Sequence, residues 1–338
     1  MPPLLTIDAS LAGQTLAAAV RHALPGLSWS DARKLIAARR AQINGVPCLD
    51  DARRLKLGET VAIVNESSAQ HGPASAEIVY ADADLVVVDK PAGLQTVRRN
   101  EERHWSSERK SRQPVLEELV QELLSRAGSV SNDRNAERRR RGGNAPIRVR
   151  PVHRLDRDTS GLMLFALSPE AEQELVRRFA AHAIHREYRA VVHGTITDPR
   201  TIESWLVRDR GDGLRGSLPG GLSPAGPPAE AQRAVTHLWP IEPIGAAYTL
   251  IGCRLETGRT HQIRVHLAEI GHMLCGEKTY LSPRPGEAPT PDQSHAPCQA
   301  LHSAELQFEH PISGTPMKFQ SPWPTQMQRW MQKLRQTP

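Results

Sequence analysis

No stretch of about 18 consecutive apolar residues occurs in the 338-residue sequence, so none of it is suited to span a bilayer as a helix. Its start, MPPLLTIDAS, lacks a basic region followed by an apolar block and a small-residue cleavage site, and export is not expected. Cysteine is scarce: Cys48, Cys253, Cys275 and Cys298 are the four present, and no two form a C-x-x-C pair. That spacing offers neither a thiolate zinc site nor a disulfide framework, and it fits a reducing cytoplasm, the expected compartment. Also missing are an H-E-x-x-H helix, a dinucleotide-binding glycine fingerprint and a phosphate-binding loop, so no metal or cofactor is expected. What is present is a hydrophobic fraction of 39%, enough to bury a core in at least the larger of two domains and to exclude full-length disorder.

Charge is unevenly spread. The chain carries 43 Lys and Arg against 37 Asp and Glu, a net of +6. Residues 98–150 alone hold 14 basic and 8 acidic side chains, and the remainder balances at 29 of each sign. A local cationic surplus points to a polyanion such as nucleic acid, with a merely solvated insertion as the plainer alternative.

Periodicity organises the chain into a small module, a linker and a large domain. Leu11, Leu16, Val20 and Leu24 fall at roughly helical spacing, and Ser28 and Ser30 are placed to cap a second helix containing Ala32, Leu35 and Ile36. Gln42 to Val46 reads as strand, Asn-Gly turn, strand, and Glu59 to Val64 as a further strand. The polar, small-residue run 65–76 places the boundary, giving a module over 1–66, a linker over 67–76 and a second domain over 77–330. In that domain strands are expected at 85–88, 162–167, 187–196, 234–239 and 248–256, and helices at 115–124, 169–179 and 260–270. Isolated helices among hairpin-like strands favour an α+β fold around a mixed, mainly antiparallel sheet. The polar stretches 98–112 and 129–146 read as flexible basic insertions, 211–228 as an irregular connection, and 281–297 as a Pro-rich loop.

Two blocks carry chemistry. In the first, Pro151-Val152-His153-Arg154-Leu155-Asp156-Arg157-Asp158-Thr159-Ser160-Gly161, a carboxylate flanked by Arg154 and Arg157 is expected to stay ionised, as a nucleophile requires. Asp158 begins a sequence typical of a side-chain-closed turn, the reading preferred for it. For Asp156, residue chemistry leaves a turn and a catalytic role equally open. The second block is Leu255-Glu256-Thr257-Gly258-Arg259-Thr260-His261-Gln262-Ile263-Arg264-Val265-His266-Leu267, in which small and hydroxyl residues open a helix whose free amides favour a nearby anion. His261 and Arg264 are three apart and share a face, whereas His261 and His266, five apart, are poorly placed as joint metal ligands.

These blocks resemble the signatures of the RluA-type RNA pseudouridine synthases, H-R-L-D-x-x-T-S-G and L-x-T-G-R-T-H-Q-I-R-V-H. The likeness extends through Asp84 to Gly93, Arg186-Glu187-Tyr188, Ala234-Val235-Thr236, Ala300-Leu301-His302 and the tail 308–322. It implies a pseudouridine-synthase-like fold and an isomerase that converts uridine to pseudouridine without cofactor or metal. Asp156 would be the catalytic carboxylate, attacking either ribose carbon 1′ or the uracil ring. Arg264 would be its cationic partner, and Tyr188 the aromatic that stacks on the flipped base. Arg154, Arg259, His261 and Lys90 would contact RNA. Ser28 to Ile36, Ile43-Asn44-Gly45 and Leu55 to Val61 are similar to the small RNA-binding module known from a ribosomal small-subunit protein, which would turn Arg33, Lys34, Arg39 and Arg40 toward RNA phosphates. The resemblance implies an RNA partner, large-subunit ribosomal RNA before transfer RNA; a monomer is the default expectation, and no obligate protein partner is evident in the sequence.

Two departures are visible: the usual G-H-P-x-x-G-D-x-x-Y-G here reads Gly271-His272-Met273-Leu274-Cys275-Gly276-Glu277-Lys278-Thr279-Tyr280-Leu281, followed by the Pro-rich insertion, and the route from Lys90-Pro91 to His153 is long. Two other readings compete. A catalytically silent RNA-binding protein would be expected to have lost Asp156, Tyr188 or Arg264. A glycosidase or nucleoside hydrolase pairing Asp156 with Asp158 is disfavoured, because carboxylates two residues apart seldom flank a sugar on opposite faces.

Overall fold

The computed structural model describes residues 4–38, 40–43, 46–48, 50–55, 57–64, 76–126, 148–218 and 226–336. It divides into two compact units, Met1–Ala74 and Ser75–Pro338. In the first, Thr15 and Ser28 accept amide protons of Ala18 and Asp31, starting helices α1 (Leu16–Ala23) and α2 (Trp29–Ala37). Strands β1 (Leu4–Thr6), β2 (Ala41–Ile43), β3 (Val46–Pro47) and β4 (Thr60–Ile63) form an antiparallel sheet in the order β1-β4-β2-β3. Leu16, Val20, Ala32, Ile36 and Val61 fill the space between helices and sheet. Asn44-Gly45, read as a hairpin turn, lies outside the described residues.

The second unit is built on eleven strands: β5 (Glu77–Ala81), β6 (Leu85–Lys90), β7 (Arg150–Pro151), β8 (Ser160–Ala166), β9 (His185–His193), β10 (Arg200–Val207), β11 (Gly216–Ser217), β12 (Gln232–Ile244), β13 (Tyr248–Leu255), β14 (Leu301–Glu309) and β15 (Pro316–Gln320). The main path runs β11-β10-β12-β13-β9-β14-β8-β6-β5, with β15 on β14 and β7 on β8. Pairing is antiparallel except between β8 and β14, so the sheet is mixed and the unit α+β. Among the described residues five helices accompany it: α3 (Ser107–Arg112), α4 (Leu116–Arg126), α5 (Pro169–Ala180), α6 (Gln262–Glu269) and α7 (Thr325–Gln336). Among the described residues no helix is long and apolar enough to cross a membrane.

Strands β6 and β8 are covered on both faces, which explains why Leu85 to Val88 and Ser160 to Ala166 are buried without interruption. Period-two alternation sends Val86, Val88, Met163 and Phe165 to one side, against Leu116, Val120 and Leu124 of α4. Leu85, Val87, Leu162 and Leu164 go to the other, against Ala171 and Leu175 of α5.

Three segments differ from their sequence reading. Residues 98–112 are not a loose polar stretch: a 3-10 turn at Asn100–Glu102 and α3 are formed. The Arg98 guanidinium is buried in a fork on Glu118, and Trp105 has Arg98 and Arg109 over its ring, so these cations are used internally. Within 211–228, Gly216–Ser217 pairs with β10. The helix expected over 260–270 begins only at Gln262, because His261 takes a left-handed backbone conformation with φ 60°. The basic run 134–143 lies outside the described residues.

Candidate active site

Asp156 stands in the loop between β7 and β8, and the fold holds that loop from two sides. The Thr96 hydroxyl donates to the Leu155 carbonyl at 2.8 Å and accepts the Leu155 amide at 3.2 Å, clamping the residue just before Asp156. On the other side the Lys90 ammonium donates to the carbonyls of Leu94 and Arg157 at 2.8 Å and of Pro91 at 3.0 Å. Lys90 is completely buried, and burial pushes its pKa down to about 7 against the pull of Asp158 and Asp156. The expectation that Lys90 meets RNA is therefore corrected: its protons are spent on backbone carbonyls, and it ties the end of β6 to the Asp156 loop.

The Asp156 carboxylate faces two side chains from the second block. Arg264 Nη1 lies 3.7 Å from Oδ2 and His261 Nε2 lies 3.8 Å from Oδ1, both beyond the ordinary hydrogen-bond range. The carboxylate thus has the Arg264 charge beside it without having its lone pairs saturated. Arg264 directs its short bonds to Glu277, Nε to Oε2 at 2.9 Å and Nη2 to Oε1 at 2.7 Å. Glu277 in turn accepts the amides of Lys278 and Thr279 at 3.0 and 2.9 Å and the Gln299 side chain at 3.0 Å. Burial opposes both charges, yet mutual attraction outweighs it, holding the Glu277 carboxyl below and the Arg264 guanidinium above their ordinary pKa values.

His261 Nδ1 is 2.7 Å from the Tyr280 hydroxyl, and the Arg264 guanidinium lies over the Tyr280 ring, 5.1 Å from its centroid. Burial lowers the His261 pKa, with Asp156 pulling it back up, so the imidazole is neutral near pH 7. His261 is accordingly a member of the carboxylate cluster rather than a cation on an RNA-facing surface. The turn leading into α6 is closed by Gln262, whose Oε1 accepts the Arg259 amide at 3.0 Å and the Thr257 hydroxyl at 2.7 Å.

These side chains enclose a cavity of about 80 Å³ lined by Asp156, Tyr188, Arg186, His261 and Arg264 among others. Tyr188, on β9 between Ser303 of β14 and Cys253 of β13, is 4% exposed, and burial raises its hydroxyl pKa. Arg154 and Arg259 also line the cavity and are exposed, with Arg259 Nε bonded to the Arg233 carbonyl at 3.1 Å. Asp158 is not part of the lining, which removes the carboxylate pair a hydrolase would need. In the first unit, exposed Arg33 and Lys34 pair with Asp51 and Asp31, and Arg40 Nε donates to the Val64 carbonyl at 3.0 Å. Arg39 lies outside the described residues.

Four members of this site were not singled out by sequence: Glu277, Tyr280, Thr96 and Arg186. Glu277 and Tyr280 were visible only inside a departure from a family pattern, Arg186 only as a neighbour of Tyr188, and Thr96 carried no signal.

The fold of the second unit is shared with solved proteins of known name. Human RNA pseudouridylate synthase domain containing 4 aligns with a TM-score of 0.52 at 19% identity, over 77% of this chain and 93% of its own. Domain containing 1 aligns with a TM-score of 0.50 at 23% identity, over 79% and 97%. At such identities the likeness defines the fold alone. The family model for RNA pseudouridylate synthase matches residues 84–269, which include both blocks and most of the cavity. Similar proteins named ribosomal large subunit pseudouridine synthase D occur in Nitrosomonas europaea, 30% identical over 99% of this chain and 88% of the relative, and in Xanthomonas campestris, 32% identical over 97% and 91%. The chain belongs to the RNA pseudouridylate synthase family, whose members isomerise uridine to pseudouridine in RNA.

Proposed function

We propose that this enzyme isomerises specific uridines of large-subunit ribosomal RNA in the cytoplasm, with Asp156 as the catalytic carboxylate, and that residues 1–66 form an RNA-binding module preceding the catalytic domain. The observation that carries the catalytic assignment is the Asp156 carboxylate, open to a cavity and held at 3.7 Å by an arginine that a second, buried carboxylate fixes in place. A charged nucleophile in a water-poor pocket needs such a cation, while the long contacts leave its lone pairs available. Tyr188, which lines the cavity, offers an aromatic face to a flipped uracil. Exposed Arg154 and Arg259 at its edge are placed for the strand the base leaves. Arg33, Lys34, Arg39 and Arg40 would add phosphate contacts from the first unit.

The ribosomal target is supported by the names of relatives that match nearly the whole chain. Mapping pseudouridines in total RNA from cells with and without the gene tests it. Loss confined to large-subunit ribosomal RNA is the expected result, and loss confined to transfer RNA would replace the target while keeping the chemistry. Asp156→Asn keeps size and hydrogen bonding but removes the charge, and full activity in that variant would sink the catalytic assignment.

A further inference from the structure

Four arginines of the chain are buried among the described residues: Arg98, Arg186, Arg210 and Arg264. Three of them have carboxylate partners, Glu118 for Arg98, Asp212 for Arg210, and Glu277 with Asp156 for Arg264. Arg186 has none. It is 8% exposed and lines the Asp156 cavity; among the described residues its guanidinium lies beside the neutral Tyr188 hydroxyl, the uncharged His153 imidazole and the Phe179 ring, 5.3 Å away. Its Nε has no acceptor. Burying a guanidinium without a counter-charge costs several kcal/mol, so a group maintained this way implies an anion that arrives with the substrate.

The chemistry identifies that anion. If Asp156 attacks carbon 1′, the carbon–oxygen bond forms as the bond from carbon 1′ to N1 breaks, and the electron pair leaves on the uracil, shared between N1 and the carbonyl oxygens. If Asp156 adds to carbon 6 of the ring, the pair displaced from the double bond is delocalised onto a uracil carbonyl oxygen. On either route the negative charge lost by Asp156 appears on the base. On the ring route the bond from carbon 1′ to N1 breaks in the adduct; on both routes carbon 5 finally bonds carbon 1′ and loses its proton, N1 gains a proton, and the Asp156 carboxylate is released.

We infer that Arg186 is a further catalytic residue, the receptor for the negative charge that develops on the uracil carbonyl oxygens while the base is detached or adducted. It shares the cavity with Asp156 and Tyr188, whereas the exposed Arg154 and Arg259 are placed for phosphates. Gly258 supports the arrangement: its φ is not in the left-handed region, but a Cβ there would lie 3.3 Å from Arg186 Nη1, so the glycine keeps space beside the guanidinium.

The test uses the full-length enzyme with a uridine-containing RNA substrate, comparing Arg186→Met with the wild type. Because the wild-type guanidinium has no counter-ion, the variant is expected to melt at the same temperature or higher. Its kcat is expected to fall on the order of 10²- to 10³-fold, as for loss of one donor to a developing oxyanion, with RNA affinity unchanged. Methylguanidinium is expected to restore activity to Arg186→Ala where urea does not. A fall in melting temperature would assign Arg186 a structural role and overturn the inference. So would weaker RNA binding with a salt slope reduced by about 0.9 and an intact kcat, the signature of a phosphate contact. The inference rests on Asp156 marking the reaction site. A fully active Asp156→Asn would defeat that reading, whereas an inactive Asp156→Asn beside a fully active Arg186→Met defeats only the role of Arg186.

Discussion

Replacing Glu277 by Gln probes what holds the Asp156 site together. The side chains of Arg264 and Glu277 are 10% and 1% exposed, so neither charge is relieved by solvent. Gln keeps the shape of Glu but presents one amide to donors already crowded around that point, namely two arginine nitrogens, the Lys278 and Thr279 amides and the Gln299 side chain. At least one donor loses its acceptor, and Arg264 keeps only the distant Asp156 as counter-ion. Removing one partner of a buried pair costs about 3–5 kcal/mol, a large share of the roughly 5–15 kcal/mol that stabilises a typical protein. Chemical denaturation followed by fluorescence is expected to show that loss, with pseudouridine formation falling alongside as Arg264 swings away from its 3.7 Å position. Replacing both residues by Met, Arg264→Met with Glu277→Met, should recover much of the stability and none of the activity, since the apolar pair leaves no buried charge. A Glu277→Gln enzyme within about 0.5 kcal/mol of the wild type, the range of an ordinary surface substitution, and fully active would refute the reasoning.

Three further outcomes follow from the same contacts. Gly161→Ala places a Cβ against the Ser303 backbone at a φ of +104°, where β8 meets β14 in parallel, so the protein should be recovered poorly or melt far below the wild type; an unchanged melting point would contradict the packing. Thr96→Val removes both halves of the clamp on Leu155 and should cost about 1–3 kcal/mol and lower kcat by up to roughly 100-fold through misplacement of Asp156, which denaturation and single-turnover rates would register. Burial depresses the pKa of His153 to about 3 and of His266 to about 4. Below about pH 6.5 the unfolded chain therefore takes up protons that the folded protein refuses, and stability should fall as pH drops from 6.5 toward 4. In His266→Gln that decline should be shallower by up to about 1.4 kcal/mol per pH unit, and an identical pH profile would show that His266 titrates normally.

The strands and helices of the second unit were readable because their burial is periodic. Leu85 to Val88 and Leu162 to Ala166 are apolar throughout, as strands covered on both faces must be, and Pro169 suits the first turn of the helix expected over 169–179. The segment 98–112 was misread because its composition is that of a solvated stretch. Its order comes from Glu118, on a helix further along the chain, which takes up the Arg98 charge. The delayed start of α6 was likewise hidden, since histidine in the left-handed region is set by what its ring reaches, here Asp156 and Tyr280.

The sequence carried the reaction class through its resemblance to a known family, and it named Asp156 and Arg264, which the fold brings to face one another at 3.7 Å, although residue chemistry alone left a turn equally open for Asp156. Only the tertiary structure decided what each cation near the motifs is partnered with. Lys90, Arg186 and Arg264 are all basic residues next to recognisable motifs, but the first is enclosed by three carbonyls, the second is left without a counter-ion, and the third is locked by Glu277. A side chain's charge is written in the sequence, whereas its desolvation and its partners depend on segments as far apart as Thr96 and Leu155, 59 positions along the chain, which only folding brings together.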